Sequence, residues 1–373
     1  PLLGTDIDAC TEEQLDIEIF PDRPDLLSGE TLAFAMANFL HGAPARPDMD
    51  VQPSGITMKV DSSLRDVRPV ILGAVVRGVS LPDDSGGCEA FIKGLMDHQE
   101  KLHFALGRRR QRASIGVHDL ARLAPPFHVK TVGEKHAFVP LAREESMTIA
   151  DILTQHPKGI EYAGLLDDTT SYPLIVDADD AVLSFPPIIN GDHTTVTHDT
   201  RDFFIDVTGW DERACEASLM LVCLQLIQWG GQVESVEITT CEGDRIVSPI
   251  GTGKTHVVPE ELVQNLLGRA FTDDELQVAV QRMGGRFEGR QPAPNDAPDH
   301  STSMAVARAG TSELLFTMPR WRFDLLHPVD MVEELAIGHG YEDLGTDVPK
   351  ATLTAQPRTC LLYTSDAADD TRS

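Results

Sequence analysis

Four carboxylates in one short stretch carry the clearest chemistry in this sequence: Asp324, Asp330, Glu333 and Glu334. Hard divalent cations prefer such oxygen ligands. Around them, Met318 to Phe323 mixes aromatic and apolar residues as a short strand does, Pro328 suits a first helical position, and Ala336 to Gly340 closes a helix at a glycine. The carboxylates therefore fall at a strand-to-helix junction. Asp330 precedes Glu333 and Glu334 by three and four residues, which brings the three near one helix face. Acidic side chains in the first turns of a helix also meet the positive end of its dipole, and spacing alone favours that plainer role.

Other chemical groupings carry less. His193 and His198, beside Asp192 and Asp199, lack the H-x-E or HExxH spacing of a zinc site and read as loop hydrogen-bonding groups. Gly251-Thr-Gly-Lys-Thr255 ends like a phosphate loop, but Ser248 stands where the first glycine is required. His118 and Asp119 are neighbours on an alternating strand, point to opposite faces and read as structural. The cysteines, Cys10, Cys88, Cys215, Cys223, Cys241 and Cys360, form no C-x-x-C pair and read as reduced, mostly buried thiols.

Positioning these groups takes several units. Leu15 to Phe20 alternates as a half-buried strand, the turn Pro21 to Ser28 follows, and Leu32, Ala35, Met36, Phe39 and Leu40 repeat at helical spacing until Gly42 and Pro44. From about Leu81 to Thr240 the pattern is mixed: a helical stretch over Glu89 to Leu106, short strands, then a helix over Glu212 to Trp229. Within it the basic run Lys101 to Arg112 stands out, either as an RNA phosphate contact or as a solvated helix end with cations at the negative pole. Phe271 to Glu275 then opens a helix whose apolar face runs from Leu276 to Met283 and which stops at Gly284-Gly285. Gln291 to Ser303 reads as a loop before a strand pair, Met304 to Ala307 and Leu314 to Met318.

A chain of 373 residues is too long for one ordinary core, and two or three domains are expected. A formal charge of -28 excludes general coating of nucleic acid or of an anionic membrane, so an RNA partner would meet local basic patches. No apolar run approaches the length of a membrane span, and a cytoplasmic location with no membrane partner is the expectation. The chain opens at Pro1 and runs straight into Leu2-Leu3-Gly4-Thr5, which reads as a start inside a longer protein.

Two motifs give the sequence a family. The R-x-D at Arg322 to Asp324, the later Asp330, the Glu333-Glu334 pair and the ending Gly338-His-Gly-Tyr341 resemble the end of the B5 domain of phenylalanine-tRNA ligase beta subunits. Arg23, Pro24, Asp25 and Leu26 resemble the N-R-P-D-L-L-S signature of the same subunits, with Asp22 where the family usually has asparagine. Lys101 to Arg112, Ala113 to Leu120, His156 to Gly159, Leu183 to Asn190 and Phe203 to Gly209 resemble the archaeal and eukaryotic form of the B3/B4 domain.

That resemblance implies an α+β multidomain chain truncated at both ends. Its parts would be a partial N-terminal B1-like domain and linker (1–80), a mixed α/β B3/B4 editing domain (81–246), and an α+β B5 domain with a DNA-binding-like fold (247–346). The start of a truncated catalytic-like domain (347–359) and a non-native, adapter-derived tail (360–373) would follow. The implied function is to support ATP-dependent charging of tRNA(Phe) by a separate alpha subunit, in an alpha2beta2 heterotetramer, and to hydrolyse tyrosine wrongly attached. ATP would belong to the alpha subunit, and Asp324, Asp330, Glu333 and Glu334 would hold Mg2+ near the subunit interface. A non-catalytic tRNA-docking subunit and a freestanding editing hydrolase remain as alternatives.

Proofreading makes physical sense, because an apolar pocket rejects an added hydroxyl poorly, whereas a pocket that bonds the tyrosine hydroxyl leaves its own polar groups unpaired with phenylalanine. Motif matches assign Leu174, Ser184, Asp206 and Thr208 to that pocket. Asp206 and Thr208, two apart, would share one strand face and hold substrate or orient a water, or else would form a turn or cap before the helix at Asp211.

Overall fold

The computed structural model describes residue 3 and residues 5–12, 14–20, 22–42, 46–82, 84–167, 169–298 and 306–345. Pro44, the segment 347–359, the tail 360–373 and Cys360 lie outside the described residues.

A two-stranded ribbon, β1 (Asp6–Cys10) and β2 (Leu15–Glu18), comes first. The expected half-buried strand is here, but Leu15 is 54% exposed, because a two-stranded ribbon alone has no second layer to bury its apolar side chains. Helix α1 (Gly29–His41) opens at a reciprocal cap between Ser28 and Thr31 and stops at Gly42, whose φ of 57° suits a residue without Cβ.

The large middle unit contains, in chain order, β3 (Val51–Val60), β4 (Val70–Arg77), α2 (Ser85–Phe104), β5 (Ala113–Asp119), β6 (Phe127–Val132), β7 (Ala137–Phe138) and β8 (Met147–Thr148). It continues with α3 (Ile149–Gln155), α4 (Pro157–Tyr162), β9 (Tyr172–Val176), β10 (Val182–Phe185), β11 (Ile189–Asn190) and β12 (Phe203–Gly209). Helix α5 (Glu212–Gln228), β13 (Gln232–Thr239) and β14 (Arg245–Ser248) complete it. One mixed sheet runs β11-β10-β9-β6-β3-β13-β4-β12-β5, with β14 on β13.

Alternation along β12 sorts the core. Phe203, Ile205 and Val207 face the layer of α2 and α5, where Leu95, Leu102, Met220 and Leu224 are buried with them. Phe204 faces the opposite core, with Met58, Ile71, Val75 and Phe127. Asp206 and Thr208 share that second face with Phe204, so the Asp206 to Gly209 segment is the interior of a strand and not a turn or cap. The cap before α5 is Asp211, whose side chain accepts from the Ala214 amide.

The third unit packs a sheet of order β15-β17-β16 against three helices: β15 (Lys254–Pro259), α6 (Glu260–Leu267), α7 (Asp273–Arg282), β16 (Arg286–Pro292), β17 (Ser312–Met318) and α8 (Pro328–His339). The expected cap of α7 is present, Thr272 and Glu275 bonding each other's backbone amides. Three strand expectations change. The strand expected over Met318 to Phe323 ends at Met318, since Pro319 offers no amide and Arg322 turns inward to carboxylates. Of Met304 to Ala307, the first two residues lie outside the described residues and the other two are not in a strand. Ser312–Met318 pairs instead with Lys254–Pro259 on one side and with Arg286–Pro292 on the other, the latter a largely polar edge strand that hydrophobic alternation does not reveal.

Candidate functional site

A cavity of about 320 Å³ opens beside the edge strand β5, between α2 and the segment from Ser184 to Val196. Ile92, Met96, Ile115, Val117, Pro186 and Ile188 give it an apolar wall, and Gln99, Ser114, Ser184, Asn190, Thr194 and Thr195 add polar groups. That mixture and size suit a small organic ligand. Several lining groups are fixed by their own bonds. Ser184 Oγ donates to Asn190 Oδ1 at 3.3 Å, and Gln99 Nε2 donates to the Ile115 carbonyl at 2.6 Å. Arg110 donates through Nη1 to the carbonyls of Pro187 (3.2 Å) and Ile188 (3.0 Å) and through Nη2 to Glu100 (2.6 Å), which ties the loop to α2.

The charge on this wall follows from its neighbours. His103 Nε2 accepts from the Ile115 amide at 2.8 Å, so its proton resides on Nδ1 on the side of Glu100, 3.7 Å away. Burial drops His103 to about 4, and His103 together with Arg110 holds the Glu100 carboxyl at about 2. Glu100 is thus ionised and His103 neutral at pH 7.

Of the four expected pocket residues, Ser184 lines the cavity and the other three lie behind the wall. Leu174 is fully buried in a separate core with Ile152, Phe185 and Ile188. Thr208 Oγ1 accepts from Arg68 Nε at 2.7 Å. Asp206 Oδ2 lies 2.7 Å from His118 Nε2, and His118 Nδ1 lies 2.8 Å from Thr194 Oγ1, a residue of the cavity wall. His118 and Asp119 do face opposite ways, yet His118 has a carboxylate partner on the adjacent strand. Sequence reasoning missed Arg68, His118, Asn190 and Thr194 as neighbours of the site. The alternation Ser114, Gly116, His118 was a readable signal for one face, but the pairing of β5 with β12 was not.

Just outside the cavity, the basic run is more than a helix end. Helix α2 stops at Phe104, and Arg108, Arg109 and Arg110 all take positive φ (45°, 53° and 67°). This turn buries Arg110 and leaves Arg108 and Arg109 exposed. Phe104 is 66% exposed, with the Arg109 guanidinium 5.5 Å from its ring centre.

The four C-terminal carboxylates meet in a second cavity of about 250 Å³, lined also by Asp22, Arg23, Ile337 and Tyr341. Thus the two short motifs quoted above, 300 residues apart in sequence, face each other across one space. Arg322 grips Asp324 at 3.0 and 2.6 Å and Glu334 at 2.6 Å, while Asp330 Oδ2 accepts from the amides of Leu326 and His327, both at 2.7 Å. Partial burial and the crowd of Glu334, Asp22, Asp330 and Asp324 raise the Glu333 carboxyl above its usual range. Oxygen donors with surplus negative charge fit a hard cation such as Mg2+. Among the described residues, however, no three acidic, histidine or cysteine side chains are set to hold a metal. The same holds for His193 and His198. Cys88, Cys215, Cys223 and Cys241 are buried free thiols and Cys10 is an exposed one. No helix among the described residues is long and apolar enough to cross a membrane.

Comparison with known proteins converges on one family. The B3/4 domain family model matches residues 84–222, and the tRNA synthetase B5 domain model matches residues 257–341. The phenylalanine–tRNA ligase beta subunit of Methanococcoides burtonii is 39% identical over 351 residues, 94% of this chain and 60% of that one. That of Methanosarcina acetivorans is 40% identical over 350 residues, 94% of this chain and 59% of that one. The crystal structure of an N-terminal fragment of the phenylalanyl-tRNA synthetase beta-subunit from Pyrococcus horikoshii superposes with a TM-score of 0.78 at 31% identity, covering 91% of this chain and 92% of that fragment. The chain spans about 60% of the length of the curated relatives it matches.

Proposed function

We propose, because this chain belongs to the family of phenylalanine–tRNA ligase beta subunits, that it removes tyrosine wrongly joined to tRNA(Phe) and serves a separate alpha subunit that charges the same tRNA with phenylalanine. The cavity beside β5 carries this reading: an apolar wall that accepts an aromatic ring, with Ser184, Asn190 and Thr194 available to a phenolic hydroxyl or to a water. Those groups already bond within the protein but keep spare hydrogen-bonding capacity, which a phenolic hydroxyl can use and phenylalanine cannot. Asp206 belongs to the site through His118, while Leu174 and Thr208 support it from the core and from Arg68.

Charging itself would use ATP on the alpha subunit, in a cytoplasmic alpha2beta2 assembly. Asp324, Asp330, Glu333 and Glu334, which line one cavity, would hold Mg2+ together with groups from that partner. The ion would neutralise the acidic cluster at a subunit contact. Arg322 already orients Asp324 and Glu334, and the Leu326 and His327 amides fix Asp330.

The test offers the purified chain tRNA(Phe) charged with tyrosine or with phenylalanine. Selective release of tyrosine is expected. A folded chain that releases neither overturns the editing reading. If it still binds the tRNA, the exposed Phe104, Arg108 and Arg109 favour a docking role instead.

A further inference from the structure

We propose that Asp206, His118 and Thr194 form a proton relay from the core of the large unit to the cavity wall, and that Thr194 is where the attacking water gives up its proton; this rests on the editing reading above. The three side chains are 1%, 0% and 1% exposed, and their two contacts measure 2.7 and 2.8 Å. They come from three elements: β12, β5 and the short turn Asp192–Thr194 after β11. In register, His118 lies opposite Phe204 and Asp206 opposite Gly116, so the two side chains are diagonal neighbours across adjacent strands.

The same sheet face is filled by Phe204, Phe127, Ile71 and Val75, and a buried acid–imidazole pair is no more stabilising than apolar side chains of similar volume. Space is nevertheless kept for it: a Cβ on Gly116 would come within 2.0 Å of Asp206 Oδ2 and 2.7 Å of His118 Nε2. A buried polar pair, kept clear of steric obstruction and joined to a cavity wall, is placed to serve the chemistry of that cavity.

Proton placement supplies the mechanism. The Thr194 hydroxyl has one proton and two acceptors, His118 Nδ1 and the Gly191 carbonyl at 3.0 Å. With His118 Nε2–H donating to Asp206 Oδ2, Nδ1 is the acceptor for the Thr194 proton. A water at the wall gives one proton to Thr194 Oγ1 as Thr194 passes its own to His118 Nδ1. The resulting hydroxide bonds to the ester carbonyl carbon, and Asp206 stabilises the imidazolium. Collapse breaks the bond between that carbon and the ribose oxygen, which takes the proton back through Thr194. One ester and one water become one amino-acid carboxyl group and one ribose hydroxyl. Thr194 touches the reacting water; His118 and Asp206 are positioning residues.

Thr194→Val keeps the side-chain shape and removes the hydroxyl, Thr194→Ser keeps the hydroxyl, and Asp206→Asn keeps the shape but not the charge. Tyrosine release from charged tRNA, with urea unfolding of each variant, separates the outcomes. The expected result is a kcat lower by about 100-fold or more in Thr194→Val and Asp206→Asn, with KM within about twofold and most of kcat recovered in Thr194→Ser. Wild-type kcat in Thr194→Val or in Asp206→Asn, or a Thr194→Ser as slow as Thr194→Val, overturns the relay while leaving the editing reading intact. A folded wild-type chain that releases no tyrosine overturns both.

Discussion

Arg68 Nε donates to Thr208 Oγ1 at 2.7 Å, and Nη2 of the same guanidinium donates to the Thr208 carbonyl at 2.8 Å and the Arg110 carbonyl at 3.0 Å. Arg68 is 3% exposed, and burial lowers it to about 10 despite nearby Cys215 and Asp206. One buried cation therefore joins β12, whose Asp206 contacts His118, to the left-handed turn that carries the exposed arginines. The Thr208 hydroxyl is an acceptor for a charge that has no water to turn to.

Thr208→Ala should destabilise the fold by about 2 kcal/mol, the usual cost of removing an acceptor from a buried charged donor. Thr208→Ser should recover most of it. Urea unfolding checks both, and an unchanged midpoint in Thr208→Ala would mean that Arg68 does not depend on the hydroxyl.

Two glycines give an opposite pair of expectations. Gly116→Ala puts a methyl group into the Asp206–His118 contact and should cost about 1–3 kcal/mol or more, together with tyrosine release. At Gly94, within α2, an added Cβ meets nothing within 4 Å, so Gly94→Ala should gain up to about 1 kcal/mol by helix propensity. Thermal melts of the two proteins should move in opposite directions.

Stability should fall as acid is added before ordinary carboxylates titrate. Burial brings His98 and His103 to about 4 from an ordinary 6.5. Between those values the unfolded chain binds more protons than the folded one, so stability declines from pH 6.5 toward 4 by about 1.4 kcal/mol per unit for each histidine. Above pH 7 these groups contribute no slope. Unfolding measured from pH 7.5 to 5 tests this, and His98→Gln should remove only part of the dependence, since His256, like His103, is also lowered to about 4; a flat wild-type profile counts against it.

Arg108 and Arg109 project from an otherwise acidic chain beside the exposed Phe104 ring. Replacing both with glutamine should weaken tRNA binding and make the plot of log affinity against log salt shallower by about 2, one for each lost phosphate contact. Phe104→Ala should weaken binding by about 1–3 kcal/mol if a base stacks on it. An identical salt slope in the double variant would remove this turn from the RNA contact.

Glu333 is the carboxylate that its neighbours raise. Glu333→Gln should raise the melting temperature of the metal-free chain by relieving that crowding, and should reduce the further rise caused by added Mg2+. Equal magnesium responses in the two proteins would exclude Glu333 as a ligand.

Local chemistry was readable from sequence where neighbours in the chain decide it. Helical spacing from Leu32 to Leu40 and the stop at Gly42 mark α1, and the Phe271 to Glu275 segment marks the start of α7. The paired motifs at Arg23–Asp25 and at Arg322–Tyr341 were enough to suggest the family. The exposed ribbon at Leu15 and the polar edge strand at Arg286 escaped, because exposure and strand pairing depend on distant residues.

Residue order thus settled most helices, several strands and the chemical character of the side chains, while the packing of elements settled which groups meet. Asp206 finds His118 across a strand pair 88 residues apart, and Asp22 joins four carboxylates from the other end of the described chain. No spacing rule reaches that far. Helix and strand periods order side chains within one element, whereas partners between elements are set by how cores pack and which strands share hydrogen bonds. That packing seals Thr208 against Arg68, leaves Ser184 and Thr194 at a cavity, and gathers acidic residues that a helix dipole alone would have explained.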